Sequence, residues 1–267
     1  VVQGNVDLAQ GSIIGGRSKN YATSIGWIPD PDPGSSQTGY FGGSFTLNGM
    51  AAENETVFGL DPFSNRSLLW NTIGSVDNDA DGGWNKDITI PLDNDMGYLS
   101  YVYARRNEGT AGGTANIYLG CEGASVTHLD ESSDVYSTNP YFQVIEYNNL
   151  PEDVWCCIVG VTQSFNDPGT ATPAVGGVYR MDTGEKIAGS DYAFKMQEDV
   201  TSQIHRTYVF YSQEAAHSVS LWNPGFHAID GSEPGLNELL GRRLIGTDVK
   251  VGRDAHNLID FTTDDQI

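Results

Sequence analysis

Apolar and polar residues alternate in short bursts along this chain, and no long stretch keeps the three-to-four spacing of an amphipathic helix. Segments 40–47, 55–60, 67–70, 86–90, 97–105, 115–120 and 141–147 each read as a strand, as do 154–163, 177–181, 192–196, 205–212 and 219–222. Between them fall turn signals: Asp61-Pro62, the run 79–83, the Gly-rich 107–113, Asn139-Pro140, 166–169, 182–184 and Asp230-Gly231. The densest apolar runs, 155–159 and 208–211, are the expected core strands. Short strands at this spacing predict an all-β chain, most simply a jelly-roll β-sandwich. One short helix is expected over 230–240, with Ser232 as N-cap, Pro234 in its first turn, Leu236, Leu239 and Leu240 on one face, and Gly241 closing it.

The same pattern divides the chain. Residues 1–20, Gly- and Ser-rich with scattered Val, Leu and Ile, read as a lead-in arm or the end of an upstream segment. Residues 21–241 carry the sandwich. Residues 242–267 read as connector strands, because 249–251 and 259–261 alternate. A short amphipathic strand at that place cannot bury its own face, so its partner is expected in further sequence or in a symmetry-related chain.

Composition supports the β reading: 32 glycines in 267 residues, with 13 tyrosines, 10 phenylalanines and 5 tryptophans, suit a turn-rich pleated structure. The formal net charge of −21, with only 14 Lys and Arg, argues against nucleic acid, whose binding is dominated by phosphate contacts. It argues equally against docking on anionic lipid, and no apolar run approaches the length of a membrane span. Cys121, Cys156 and Cys157 are odd in number. The vicinal pair should point to opposite faces of a strand, so buried thiols and synthesis in a reducing compartment are expected, not a disulfide framework.

Candidate catalytic groups are scattered. His128, His205, His217, His227 and His256 lie in five segments, and Ser164, Ser218 and Ser220 carry no nucleophile-turn signature. Glu53, Glu55, Asp134, Glu146 and Asp191 supply carboxylates that no spacing pairs for glycoside hydrolysis. The best local constellation is the loop from Asp77 to Trp84. Asp77, Asp79 and Asp81 alternate ahead of Gly82 and Gly83 like the front half of a calcium loop, but position twelve is Ile88, which excludes an EF-hand. An irregular calcium site remains open there, beside a plain hydrated turn with Gly82 and Gly83 at positive φ. Trp70 and Trp84 adjoin polar loops, the setting in which an exposed ring stacks on a sugar, and domain packing is the competing reading.

Two stretches carry a family resemblance. The tract Val249-Lys-Val-Gly-Arg-Asp-Ala-His-Asn-Leu-Ile-Asp-Phe-Thr-Thr-Asp-Asp-Gln-Ile267 resembles a segment of bacteriophage tail-fibre and appendage proteins that leads into a further strand and a fibre or chaperone region. The body resembles a jelly-roll module of the same fibres, through the ordered pieces 53–63, Leu69-Trp70, 81–84, 118–120, 139–142, 176–179 and 230–234. The resemblance implies a receptor-binding protein of a virion, made in the host cytoplasm. It further implies a homotrimer joined to other tail or fibre proteins, with a carbohydrate-binding-module-like architecture and host surface polysaccharide as partner. On that reading Trp70 and Trp84 are stacking platforms, and Asp77, Asp79 and Asp81 hold a cation or sugar hydroxyls. The alternatives are a purely structural decoration or shaft spacer, and a polysaccharide depolymerase.

Overall fold

The computed structural model describes residues 19–24, 27, 45–76, 79–89, 95–107, 115–122, 126–128, 141–167, 174–190, 194–198, 201–210, 212, 214, 216–242, 248–252 and 258–262. Its strands are β1 (Phe45–Asn48), β2 (Asn54–Leu60), β3 (Arg66–Ile73), β4 (Ala80–Thr89), β5 (Tyr98–Arg106), β6 (Asn116–Glu122), β7 (Val126–His128) and β8 (Tyr141–Glu146). Then come β9 (Trp155–Gln163), β10 (Gly177–Arg180), β11 (Lys186–Gly189), β12 (Phe194–Met196), β13 (Ser202–Phe210) and β14 (Ser218–Ala228). A single-turn helix α1 (Leu236–Leu239) precedes β15 (Asp248–Gly252) and β16 (Leu258–Thr262).

Two sheets form a jelly-roll sandwich. One is five-stranded and wholly antiparallel, in the order β1-β4-β13-β6-β8. The other runs β11-β10-β9-β5-β14-β3-β2, with β7 and β12 attached beside the end of β9. Most connections cross from one sheet to the other, among them β1 to β2, β3 to β4, β4 to β5, β5 to β6, β8 to β9 and β13 to β14, so each sheet is built from strands distant in sequence. Between the sheets lies the main core. Its densest part is Trp27, Phe45, Trp70 and Trp84, whose ring centroids are 5.2–6.2 Å apart. Trp27 belongs to an arm that Asn20 fastens: its Oδ1 accepts from Ala22 N and Phe226 N, and its Nδ2 donates to the Pro224 carbonyl.

A second core lies on the other face of the larger sheet, where Leu99, Tyr101, Tyr103, Cys157 and Val159 meet Leu239 and Leu240. Burial on both faces explains why 155–159 is continuously apolar instead of alternating: every residue from Trp155 to Thr162 is buried. Cys156 faces the inter-sheet core and Cys157 the second one, as the strand period requires. All three cysteines are free and buried.

Three local expectations need correction. The run 80–83 is not a turn but the start of β4; Gly82 lies against the Glu53 carbonyl, which an added Cβ would meet at 2.0 Å. Glycine serves close backbone approach there, although Gly83 does take a positive φ of 150°. The helix is shorter than its sequence suggests and is capped by Gly235, because Ser232 is spent in a turn on Asp230. Gly241 follows it at φ 62°. Finally, the terminal strands are not left without a partner: β15 and β16 pair antiparallel with each other, Val249 opposite Phe261 and Val251 opposite Ile259. Nearly all of the 1–20 arm, and 243–247 at the predicted boundary, fall outside the described residues.

Candidate functional site

The residues proposed from sequence do not form a surface. Trp70 and Trp84 are both 0% exposed, so neither ring offers a face to a sugar. Their indole N–H groups are spoken for as well. Trp70 Nε1 donates to Asn54 Oδ1 at 2.8 Å, and Trp84 Nε1 to His205 Nδ1 at 3.3 Å. Asp81 is also fully buried, where Oδ1 accepts Ser75 N and Oδ2 accepts Ser212 N. It braces two loops. Asp79 is exposed, and Asp77 lies outside the described residues. Among the described residues no group of three or more His, Cys, Asp or Glu is arranged to hold a metal ion.

The candidate catalytic groups are equally enclosed or dispersed. His205 is buried with Nε2 3.0 Å from the Tyr101 carbonyl, and desolvation pushes its pKa down to about 4. With Nδ1 accepting from Trp84, the ring is a neutral structural linker. Ser212 Oγ lies 2.7 Å from His217 Nδ1, but serine and histidine are 0% and 1% exposed, closed to a substrate, and the hydroxyl also serves Glu214. Glu53 is buried and accepts Met50 N, Glu55 accepts Asn71 Nδ2, and Glu146 accepts Asn149 Nδ2. Asp134, Asp191 and His256 lie outside the described residues, and of His128 only the backbone is described.

The outer face of the five-stranded sheet carries an aromatic group that sequence reading did not single out. Tyr118 and Tyr208 pair across β6 and β13 and stack at 5.1 Å, with Tyr141 and Phe210 beside them and the Arg206 guanidinium over Tyr208 at 4.7 Å. The Tyr141 and Tyr208 hydroxyls are in contact, and burial together with that bond drives the Tyr208 pKa far up. At 8% and 3% exposure the two stacked rings are not available as a platform.

Among the described residues there is an open cleft of about 490 Å³. Its walls come from the start of β5 (Gly97, Leu99), the end of β9 and the loop after it (Val161 to Asp167), Val175, and the segment 229–236 that leaves β14 for α1. The floor is apolar because it continues the second core: Leu99 and Val161 are core residues, with Val175 and Leu236 packed against them. The rim is polar, with Asp95, Gln163, Ser164, Asp167 and Glu233. Each carboxylate is held in place. Asn166 Nδ2 donates to Asp95, Gln163 Nε2 donates to Asp167 Oδ2 at 3.1 Å, and Glu233 Oε2 accepts the backbone N–H groups of Asp230 and Gly231 at 3.0 and 2.7 Å. The motif read as a helix start is therefore a self-bonded lip that fixes one wall of the cleft. An apolar floor under a few convergent, pre-positioned polar groups is the usual form of a small-ligand site.

No family model and no curated protein matches the chain. Solved structures similar to it include the CBM22-1 xylan-binding domain of Paenibacillus barcinonensis Xyn10C, at 11% identity and a TM-score of 0.37, covering 73% of this chain and 90% of that one. Another is TmCBM61 in complex with β-1,4-galactotriose, at 12% identity and a TM-score of 0.38, covering 79% and 99%. A third is the enzymatically active domain of bacteriophage CBA120 tailspike protein 4, at 12% identity and a TM-score of 0.35, covering 78% of this chain and 22% of that one. At these identities and scores the likenesses do not say what this chain binds, and the sandwich described above rests on its own strand pairing.

Proposed function

We propose that this chain is a non-catalytic carbohydrate-binding module of a virion fibre, and that it holds host surface glycan in the cleft between the β9 loop and the 229–236 lip. The cleft is the observation that carries the reading. Its volume suits one or two sugar units, the Leu99, Val161 and Leu236 surface suits a sugar's C–H face, and the fixed carboxylates and Gln163 suit vicinal hydroxyls. Single contacts of this kind are weak, so three copies on one fibre axis would raise avidity through effective concentration. The virion placement and the trimer come from the sequence resemblance. A calcium ion held by Asp77 and Asp79 belongs to the same proposal as a structural accessory.

A glycan and lipopolysaccharide array tests it, with Ser164→Trp as the comparator, since an indole at that half-buried rim position fills the cleft. The expected result is a defined set of bound glycans that the filled variant loses while its melting temperature holds. Equal binding by both proteins removes the cleft from the function. A blank array on the trimer removes the recognition role and leaves the structural reading. Sedimentation equilibrium tests the assembly, with about three times the 28.9 kDa chain mass expected.

A further inference from the structure

We infer that the outer face of the larger sheet carries a second saccharide site, anchored by Arg105 and Trp222 and selective for an acidic sugar unit; this rests on the carbohydrate reading above but not on the cleft. Five adjacent strands each place one residue in a single row across that face: Glu55 on β2, Asn71 on β3, Ser220 on β14, Arg105 on β5 and Trp155 on β9. Hydrogen bonds tie the row together. Asn71 Nδ2 donates to Glu55 Oε1 at 3.0 Å, and Ser220 Oγ lies 2.7 Å from Asn71 Oδ1 and 3.0 Å from Asn107 Oδ1. Arg105 Nε donates to Asn107 Oδ1 at 3.2 Å, and its guanidinium lies over the Trp155 ring at 5.1 Å.

The company Arg105 keeps singles it out. With 35 Asp and Glu against 14 Lys and Arg, a carboxylate partner is easy to find in this chain. Arg106 takes Glu152, and Arg180 takes Asp182. Half-buried Arg105 pairs with no carboxylate among the described residues; its partners are the Asn107 amide, the Ser220 hydroxyl at 3.5 Å and the Trp155 ring. Its charge is uncompensated, and its planar fork is held in one place by stacking and hydrogen bonds, which suits the carboxylate of a ligand. Trp222 lies two residues beyond Ser220 on the same face, diagonally across from Arg105 at about 7–8 Å by sheet geometry. This indole is half-buried, tilted on Tyr103 and edge-on to Phe63, which is 41% exposed, and its N–H meets no acceptor among the described residues. A partly open indole beside a fixed cation matches a uronic acid, whose C–H face covers the ring while its carboxylate reaches the guanidinium. A neutral sugar leaves the cation unmatched, and an amino sugar sets a second positive charge against it. Leu99 of the cleft and Arg105 stand at opposite ends of β5, roughly 20 Å apart, so the two sites are separate. The net charge of −21 repels an anion at long range, but beyond about 8 Å that field is screened at physiological salt, and the near charge of Arg105 decides.

Calorimetric titration with glucuronic acid, glucose, glucosamine and inorganic sulfate at about 0.15 M salt tests the inference. It is run on the whole native chain and on Ser164→Trp, whose cleft is filled. In both, glucuronic acid should bind about fivefold more tightly than glucose, and glucosamine should bind least. Arg105→Gln keeps an amide donor for Asn107 but removes the charge, so it should erase that preference while the melting temperature holds. Arg105→Lys keeps the charge without the fork and should retain part of the preference. Trp222→Leu keeps an apolar contact for Tyr103 and Phe63 without a flat face, and should weaken glucuronic acid and glucose alike. Glucose binding as well as glucuronic acid, or an unchanged preference in Arg105→Gln, overturns the role of Arg105 and leaves carbohydrate recognition standing. Loss of the preference in Ser164→Trp assigns it to the cleft and overturns the second site. Sulfate competing as strongly as glucuronic acid, with no effect of Trp222→Leu, reduces the site to one for any anion and overturns the saccharide. No binding of any of the three sugars overturns this inference alone, and a blank array in addition removes the carbohydrate reading as well.

Discussion

His205 ties the two sheets together and should make the sandwich sensitive to mild acid. It sits on β13 in the five-stranded sheet, accepts Trp84 Nε1 with one ring nitrogen and donates the other to the Tyr101 carbonyl of β5 in the facing sheet. Desolvation lowers its pKa from 6.5 to about 4, so the folded state refuses a proton that the unfolded chain accepts. Lys86, its cross-strand neighbour, is likewise lowered by desolvation and does not help a second positive charge enter. Because the unfolded state binds more protons between those two values, stability rises with pH in that window. The contribution is intact above about pH 6.5 and is lost as pH falls toward 4. At 1.36 kcal/mol per pKa unit, lowering the pH from 8 to 5 removes about 2 kcal/mol through this one group. Urea melts at pH 8, 6.5 and 5, followed by far-ultraviolet ellipticity, measure the loss. His205→Gln supplies the control, since glutamine retains an acceptor for Trp84 and a donor for Tyr101 but does not titrate. The chain's carboxylates titrate in both proteins and cancel in the comparison. The variant should therefore lose about 2 kcal/mol less than the native chain over this range. Parallel losses in the two proteins would refute the reasoning.

Two further substitutions probe the same core. Asn54 Oδ1 accepts Trp70 Nε1 and Gly83 N, while Nδ2 donates to the Asn48 and Met50 carbonyls; Asn54→Asp keeps the acceptor side, strands both carbonyls, and should cost about 3 kcal/mol in a urea melt at pH 8. Gly160 lies under the Phe142 ring, whose Cγ and Cδ2 an added Cβ would meet at 2.3 Å, so Gly160→Ala should cost about 1–3 kcal/mol. Adding Phe142→Leu should recover part of that loss, and full additivity of the two changes would count against the contact as its cause.

The strands were legible where one face is more buried than the other, because alternation then survives in the sequence, as in β2, and where both faces are buried, because the run is then densely apolar, as in β5 and β9; these fall within a few residues of their expected places. Two were not. The exposed edge strand β11 carries no apolar stripe, and β7 is only three residues long. The start of β4 was hidden for the opposite reason, since Asp-Gly-Gly has the composition of a turn and only the packing of Glu53 and Tyr208 against those glycines shows why it is there. The tryptophans misled through their neighbours. The polar residues beside Trp70 and Trp84 read as surface loops, yet both rings are 0% exposed and their N–H groups are bonded to Asn54 and His205, which are distant in sequence. The cleft could not be read locally at all, because its walls come from four stretches that meet only after the sheets assemble. Only the Asp230–Glu233 turn left a trace, and that trace resembled a helix cap.

The tryptophan cluster makes the protein an optical gauge of the segment that carries Trp27. Three indoles with centroids 5.2–5.4 Å apart are close enough for their excited states to couple, and Trp27 alone lies outside the strands while Trp70 and Trp84 belong to the two sheets. If that segment lifts while the sandwich stays folded, two of the three couplings vanish and the third persists. Docking of that segment thus has a spectroscopic signature, the exciton coupling of the indole cluster in circular dichroism, that separates it from global unfolding without any added label.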